Sequence, residues 1–253
     1  MTTTTSLLRK RQGRLVVVLG MCFIAACGAS DATTIEETAE QGSALTGADR
    51  APPNPAVFPS TSLPYGQTME DWLEDWWRWV MSIPPETNPL LHPTQDSNVN
   101  QSGPVYFLAP GNRTNTVPLG MAIAVTPSTS FLDYPCPDPT FEPAPGQSLF
   151  DFLLAGTTPV QDGVVELAAT LDGRPLEDLF STRVTSEDLM SFTGNPSLQT
   201  TFDNCITGSS QPGVADGFFF VLKPLSPGRH VLTTHVVNQA GHVFDRTQNL
   251  DVQ

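Results

Sequence analysis

All four tryptophans of this 253-residue chain fall between Trp72 and Trp79, and no other stretch limits its folding so strongly. At a helical period, Met69, Trp72, Leu73, Trp76, Trp79, Val80 and Ile83 share one arc of roughly 120°, with Trp77 on its flank. Glu70, Asp71, Glu74, Asp75 and Arg78 fill the opposite side, and Glu74 with Arg78 makes a favourable i,i+4 pair. Thr68 with Asp71 three residues later reads as a capping pair, and Pro84 and Pro85 stop the helix, so the spacing predicts a helix over Thr68 to Ser82. Crowded indoles also suggest a sugar-stacking platform or a membrane-surface helix. The clean segregation of the two faces argues against the first, and the acidity of the polar face against the second. Such a stripe reads as core packed against a sheet, with Trp77 kept as a candidate ligand contact.

After the helix the pattern changes. Short β-like runs are separated by Pro, Gly, Asn and Asp, in a chain with 24 prolines and 19 glycines. Strands are expected at Val105 to Leu108, Met121 to Val125, Val164 to Thr170, Phe218 to Leu222, His230 to Val237 and part of His242 to Val252. Leu171-Asp172-Gly173-Arg174 reads as a tight hairpin turn, because Asp-Gly supplies the positive φ such turns need, and Asn238 to Gly241 reads as a second. Leu149 to Leu154 and Ser186 to Phe192 read as short helical pieces. There is no internal repeat. The fold expected is mainly β: a β-sandwich, jelly-roll or Ig-like, with one N-terminal Trp-rich amphipathic helix packed on it.

The N-terminus carries a different signal. Arg9, Lys10, Arg11 and Arg14 precede an apolar run from Leu15 to Ala26, too short to cross a bilayer as a helix and placed as a secretion signal requires. Ile24-Ala25-Ala26-Cys27 resembles the lipobox of bacterial lipoproteins, which implies cleavage before Cys27 and lipidation of its thiol. Gly28, not Asp, follows the cysteine, so an outer-membrane destination is expected. Residues 1–26 then form a signal peptide and residues 27–64, rich in Ala, Thr, Ser, Glu and Pro, a lipidated cysteine and flexible tether. Residues 65–253 form the domain. Cleavage takes away four of 12 basic residues and none of 26 acidic ones, which argues against nucleic-acid partners and leaves the lipid anchor as the membrane contact. With Cys22 inside the signal and Cys27 committed to lipid, Cys136 and Cys205 remain, and an oxidising compartment makes a disulfide between them the expectation.

A search for chemistry leaves little. His230, His235 and His242 lie close in sequence, yet His230 and His235 differ by an odd number of positions and point to opposite faces of a strand. They therefore cannot share a metal without a bulge, and no metal or cofactor is expected. His230, beside a Pro-Gly corner, is kept as a possible ligand contact. There is no Gly-x-Ser-x-Gly elbow, no phosphate-cradling glycine loop and no Cys-His arrangement. The Asp-Gly pairs at Asp162, Asp172 and Asp216 read as turn formers, since no Asp-x-Asp-x-Asp loop surrounds them.

Several phrases together resemble an uncharacterised family of bacterial secreted proteins and lipoproteins. They are Tyr65-Gly66, Trp72 with Trp76-Trp77-Arg78-Trp79, Asn88-Pro89-Leu90, and Gln101-Ser102-Gly103-Pro104-Val105-Tyr106-Phe107-Leu108-Ala109. Later come Val117-Pro118, Leu171-Asp172-Gly173, Thr182-Arg183-Val184, Ala215-Asp216-Gly217-Phe218 and Pro224-Leu225-Ser226-Pro227-Gly228-Arg229-His230. His92 to Asn100 lacks a glycine and cysteine of that pattern, and Val236, Val237 and Asn238 replace glycines after His235. The resemblance covers the domain and implies no activity. Two functional readings remain: a lipid-anchored envelope protein that is a non-catalytic binding or structural module, with an envelope glycan or protein as partner, or an envelope hydrolase whose carboxylates and histidine converge only in three dimensions.

Overall fold

The computed structural model describes residues 17–18 and 56–253. Helix α1 spans Met69–Ser82, where the tryptophan spacing predicts it. Its N-terminus is closed by a reciprocal capping box: the Asp71 N–H donates to Thr68 Oγ1 at 3.0 Å, and the Thr68 N–H to Asp71 Oδ2 at 2.9 Å. Ile83 is already extended, and the two prolines behind it bar another turn.

The strands in chain order are β1 (Val17–Val18), β2 (Val105–Phe107), β3 (Arg113–Val117), β4 (Ala122–Asp133), β5 (Val164–Leu171), β6 (Arg174–Pro175), β7 (Arg183–Thr185), β8 (Met190–Thr193), β9 (Ser210–Leu222), β10 (Gly228–Asn238) and β11 (Val243–Val252). A second helix, α2, spans Leu149–Asp162. The protein is mainly β, and its strands form two mixed sheets. The first is built on the antiparallel pair β4–β9, with β7 and β8 on the far side of β9, and β2 (parallel) and β1 beside β4. The second runs β3-β11-β10-β5-β6, with β3 parallel to β11.

Burial follows from alternation along β4 and β9. Ala215, Phe219 and Val221 of β9 point to one face and meet the indoles of α1, while Phe220 and Leu222 point to the other and meet Leu232, Leu250 and Val252 of the second sheet. Both faces of the second half of β9 are covered, which is why residues 218–222 read as a continuous apolar run. In β4 the register slips between Val125 and Ser128, where three steps on β4 match two on β9. This one-residue bulge shifts the parity of the rest of the strand. Phe131 consequently stacks on Trp77, and Ser130 and Leu132 turn to α2 on the opposite face.

Both predicted turns form. Asp172 and Gly173 have φ of 52° and 74° between paired Leu171 and Arg174, and Gly241 has φ of 77° in the β10–β11 turn. The Cys136–Cys205 disulfide is present, with a sequence separation of 69.

Three boundaries differ from the sequence reading. The helical piece at Leu149 to Leu154 continues to Asp162 through Pro159, held by a polar seam in which Gln161 joins Ser128 and Ser130. Ser186 to Phe192 is not helical: its end is β8, paired antiparallel with β9, because Met190 and Phe192 fit the alternating slots beside α1. The domain also takes in residues before Tyr65. Val57 bridges to Leu222, and the Phe58 N–H donates to the Val221 carbonyl at 2.9 Å, so residues 56–64 belong to the domain and not to a tether.

Candidate functional site

Between the outer side of α1 and the turn that leads into β2 lies an open cleft of about 460 Å³. The helix contributes Trp72, Asp75, Arg78, Trp79 and Ser82, and Gln67 precedes it. The facing wall is Asn100, Ser102, Gly103 and Pro104, with Phe107 of β2 beneath. Asn100 and Gly103 hold φ of 52° and 78°. For Asn100 this is a sparsely populated backbone state, of the kind that concentrates where a wall must keep a shape.

The floor is aromatic but shows little of its rings. Trp72, Trp79 and Phe107 are 4%, 6% and 6% exposed, and the centroid of Phe107 lies 6.2 Å from that of Trp72 and 5.6 Å from that of Trp79. Both indole N–H groups are committed inward, Trp72 to the Pro64 carbonyl and Trp79 to that of Val99. With so little of the rings exposed, the floor offers no open stacking face. The rim is polar and internally wired. Asp75 accepts from Gln67 Nε2 at 3.0 Å and from Arg78 Nη1 at 2.8 Å, while Arg78 Nη2 donates to Glu74 and its Nε to the Ser191 carbonyl. One carboxylate against one guanidinium leaves the lining with no net charge.

Trp77, the candidate ligand contact on the helix flank, is enclosed: it is 0% exposed, stacked on Phe131 at 4.8 Å, and donates to Thr129 Oγ1 at 3.1 Å. The bulge in β4 puts Phe131 under that flank, so no face of Trp77 is open to a ligand. His230 does not reach the cleft either. It sits at the β5–β6 turn, where Asp172 Oδ2 lies 2.7 Å from Nδ1 and the Ser226 carbonyl 3.0 Å from Nε2, with Ser226 Oγ at 3.4 Å. Serine, histidine and aspartate thus meet, but the wiring is not that of a nucleophile and its base. Both ring nitrogens face acceptors, which calls for an imidazolium with a proton on each. Burial lowers its pKa, and the Asp172 carboxylate and Ser226 carbonyl outweigh it, for a net rise. His230 is an ion-paired pin for the turn.

His235 is separate, as the strand parity requires. It lies between Asp245, 2.6 Å from Nδ1, and Glu166, 3.5 Å from Nε2, and hydrogen bonding to Asp245 raises its pKa. One cluster of three metal-type side chains occurs among the described residues, Asp133 with Cys136 and Cys205, but its sulfurs are bonded to each other. Cys27 lies outside the described residues.

The cleft residues Gln67, Asp75, Asn100, Ser102 and Phe107 are not singled out by the sequence. Their one local signal is the polar Asn100-Gln101-Ser102-Gly103 turn facing a helix whose outer side is charged.

No family model matches the chain, and no curated protein does. Among solved structures, the solution structure of Amebosin aligns over 59% of this chain and 96% of its own, at 10% identity and a TM-score of 0.22. A likeness at that score carries no argument about fold or function.

Proposed function

We propose that the protein is an exported bacterial lipoprotein, cut before Cys27 and held to the outer membrane by lipid on that residue, and that its β-domain is a non-catalytic module binding a neutral polar ligand of the envelope, a glycan, in the cleft of α1. The cleft carries the second half of this reading. Amide, hydroxyl, carboxylate and guanidinium groups line it without net charge, which suits hydroxyl recognition and gives a charged ligand no counter-charge. The lining contains one carboxylate, Asp75, and no histidine. A glycosidase needs two carboxyl groups flanking the bond, so the hydrolase reading finds little support here. The anchor half rests on the basic stretch, the short apolar run and the Ile24-Ala25-Ala26-Cys27 sequence.

Equilibrium binding to a panel of envelope polysaccharides and peptidoglycan fragments tests the cleft. Two variants leave the fold alone: Asp75→Asn on the helix surface, and Asn100→Gly, which removes the amide while relieving the positive φ. Saturable binding that Asp75→Asn weakens roughly tenfold or more, the worth of one good hydrogen bond to a charged group, and that Asn100→Gly weakens roughly threefold to tenfold is the expected result. A panel with no saturable binder, or one whose binding neither variant changes, removes the proposal.

A further inference from the structure

The corner of the molecule at the end of β4 holds a feature that the cleft does not use. Asp133 closes β4 at 1% exposure, and Asp203, in the loop after Pro196–Thr200, is 6% exposed. Their side chains hydrogen-bond to each other. Gln211 of β9 donates its Nε2 to Asp133 Oδ2 at 2.7 Å and to the Cys205 carbonyl at 3.0 Å, and the Cys205 N–H donates to Asp203 Oδ1 at 2.9 Å. The disulfide ties Cys205 to Cys136, three residues beyond Asp133. Two carboxyls in contact and shielded from water cannot both stay ionised, so the bond between them needs a proton.

The charged group facing Asp133 is Asp203 itself. β9 presents only the neutral amide of Gln211, the cystine does not titrate, and among the described residues no cation acts on the pair. Burial, then the charge of Asp203, pushes Asp133 up to about 8, and burial also raises Asp203. The hydrogen bond between them raises Asp133 and lowers Asp203, which assigns the proton to Asp133 as donor.

This loop is part of the main core. Leu198 and Ile206, both 0% exposed, pack in the cluster that contains Trp76 and Trp77, and the Asn195 N–H donates to the Met81 carbonyl near the end of α1 at 2.7 Å. We propose that the Asp133–Asp203 carboxyl pair is a pH-sensitive latch: with its proton in place it holds the loop 194–209 and its disulfide against the end of β4, and loss of that proton releases the loop. A domain exposed outside the cytoplasm meets ambient pH directly, which is where such a device operates.

The sign follows from the raised folded pKa. The latch's contribution is fully present below about pH 4, where the unfolded carboxyl is also protonated; it declines as pH rises and is lost above about 8.

The test is the rate at which a water-soluble phosphine reduces the Cys136–Cys205 disulfide of the whole domain between pH 6 and 10, normalised to the same protein in urea. The wild-type rate should climb by up to roughly tenfold per pH unit from pH 6 to about 8 and level off above it, and Asp133→Asn, which keeps a donor and cannot ionise, should stay flat. Equal slopes in wild type and variant, or a flat wild-type profile, overturn the proposal. Should Asp133→Asn fail to fold, carboxyl ¹³C titration of the wild type decides: a carboxyl titrating near 8 with shifts in the amides of residues 194–209 supports the latch. Titration of every carboxyl in the ordinary acidic range refutes it.

Discussion

Trp77 joins α1 to the first sheet through a stacked ring and a hydrogen bond, with Gly217 making room beside it. A Cβ on Gly217 would lie 2.7 Å from the Cβ of Thr129, the residue that accepts the Trp77 N–H. Trp77→Ala should therefore cost about 3–5 kcal/mol, read as a lowered urea midpoint at unchanged m, and Gly217→Ala about 1–3 kcal/mol from overpacking. His230 gives a prediction of another kind. Its imidazole should titrate above the usual histidine value in ¹H–¹⁵N spectra with protons on both nitrogens, and Asp172→Asn should bring it down. Neither role is legible in the sequence. The helical wheel puts Trp77 on a flank because it takes no account of the bulge that turns Phe131 toward it. The Pro-Gly corner marks His230 but does not reveal that Asp172, 58 residues earlier, closes on it.

The elements most legible in the sequence are those whose signals are local. Helix α1 has its cap, its stripe and its double proline, and the two hairpins have their positive-φ residues. Replacing Thr68 by Ala removes one acceptor of the capping box and should lower stability by about 1 kcal/mol in thermal or urea unfolding. Helix α2 is half visible, since Gly156, Thr157, Thr158 and Pro159 are poor helix formers and only the seam against β4 carries the helix past them. The extended state of Ser186 to Phe192 is likewise a tertiary choice, set by its neighbour β9. Strand β1 tests the export reading at this scale. It is two residues long, pairs with Phe131 and Ser130, and lies in the segment read as signal. A chain starting at Cys27 should fold with the same tryptophan emission and the same unfolding midpoint as the full chain, and a drop in either would make that segment part of the domain.

Across the whole molecule, the layers place α1 on one face of the first sheet and the second sheet with α2 on the other, with the cleft opening on the outer side of α1. The disulfide spans 69 residues and clamps the corner that carries the acid pair, so Cys136→Ala with Cys205→Ala should cost about 4 kcal/mol in the chain-entropy view. The β-rich class and the cystine are legible from composition, strand signals and cysteine arithmetic. The cleft is not, because its two walls are separated by the helix C-terminus and the whole of residues 83–99, which no periodicity links. Everything proposed about where this domain works depends on its being carried by a lipidated cysteine. Intact-mass and peptide mass spectrometry of the protein extracted from its membrane addresses that dependence: the expected result is a chain beginning at Cys27 with a diacylglyceryl group on its sulfur. A mature chain that retains residues before Cys27, or one with an unmodified Cys27 thiol, would contradict it.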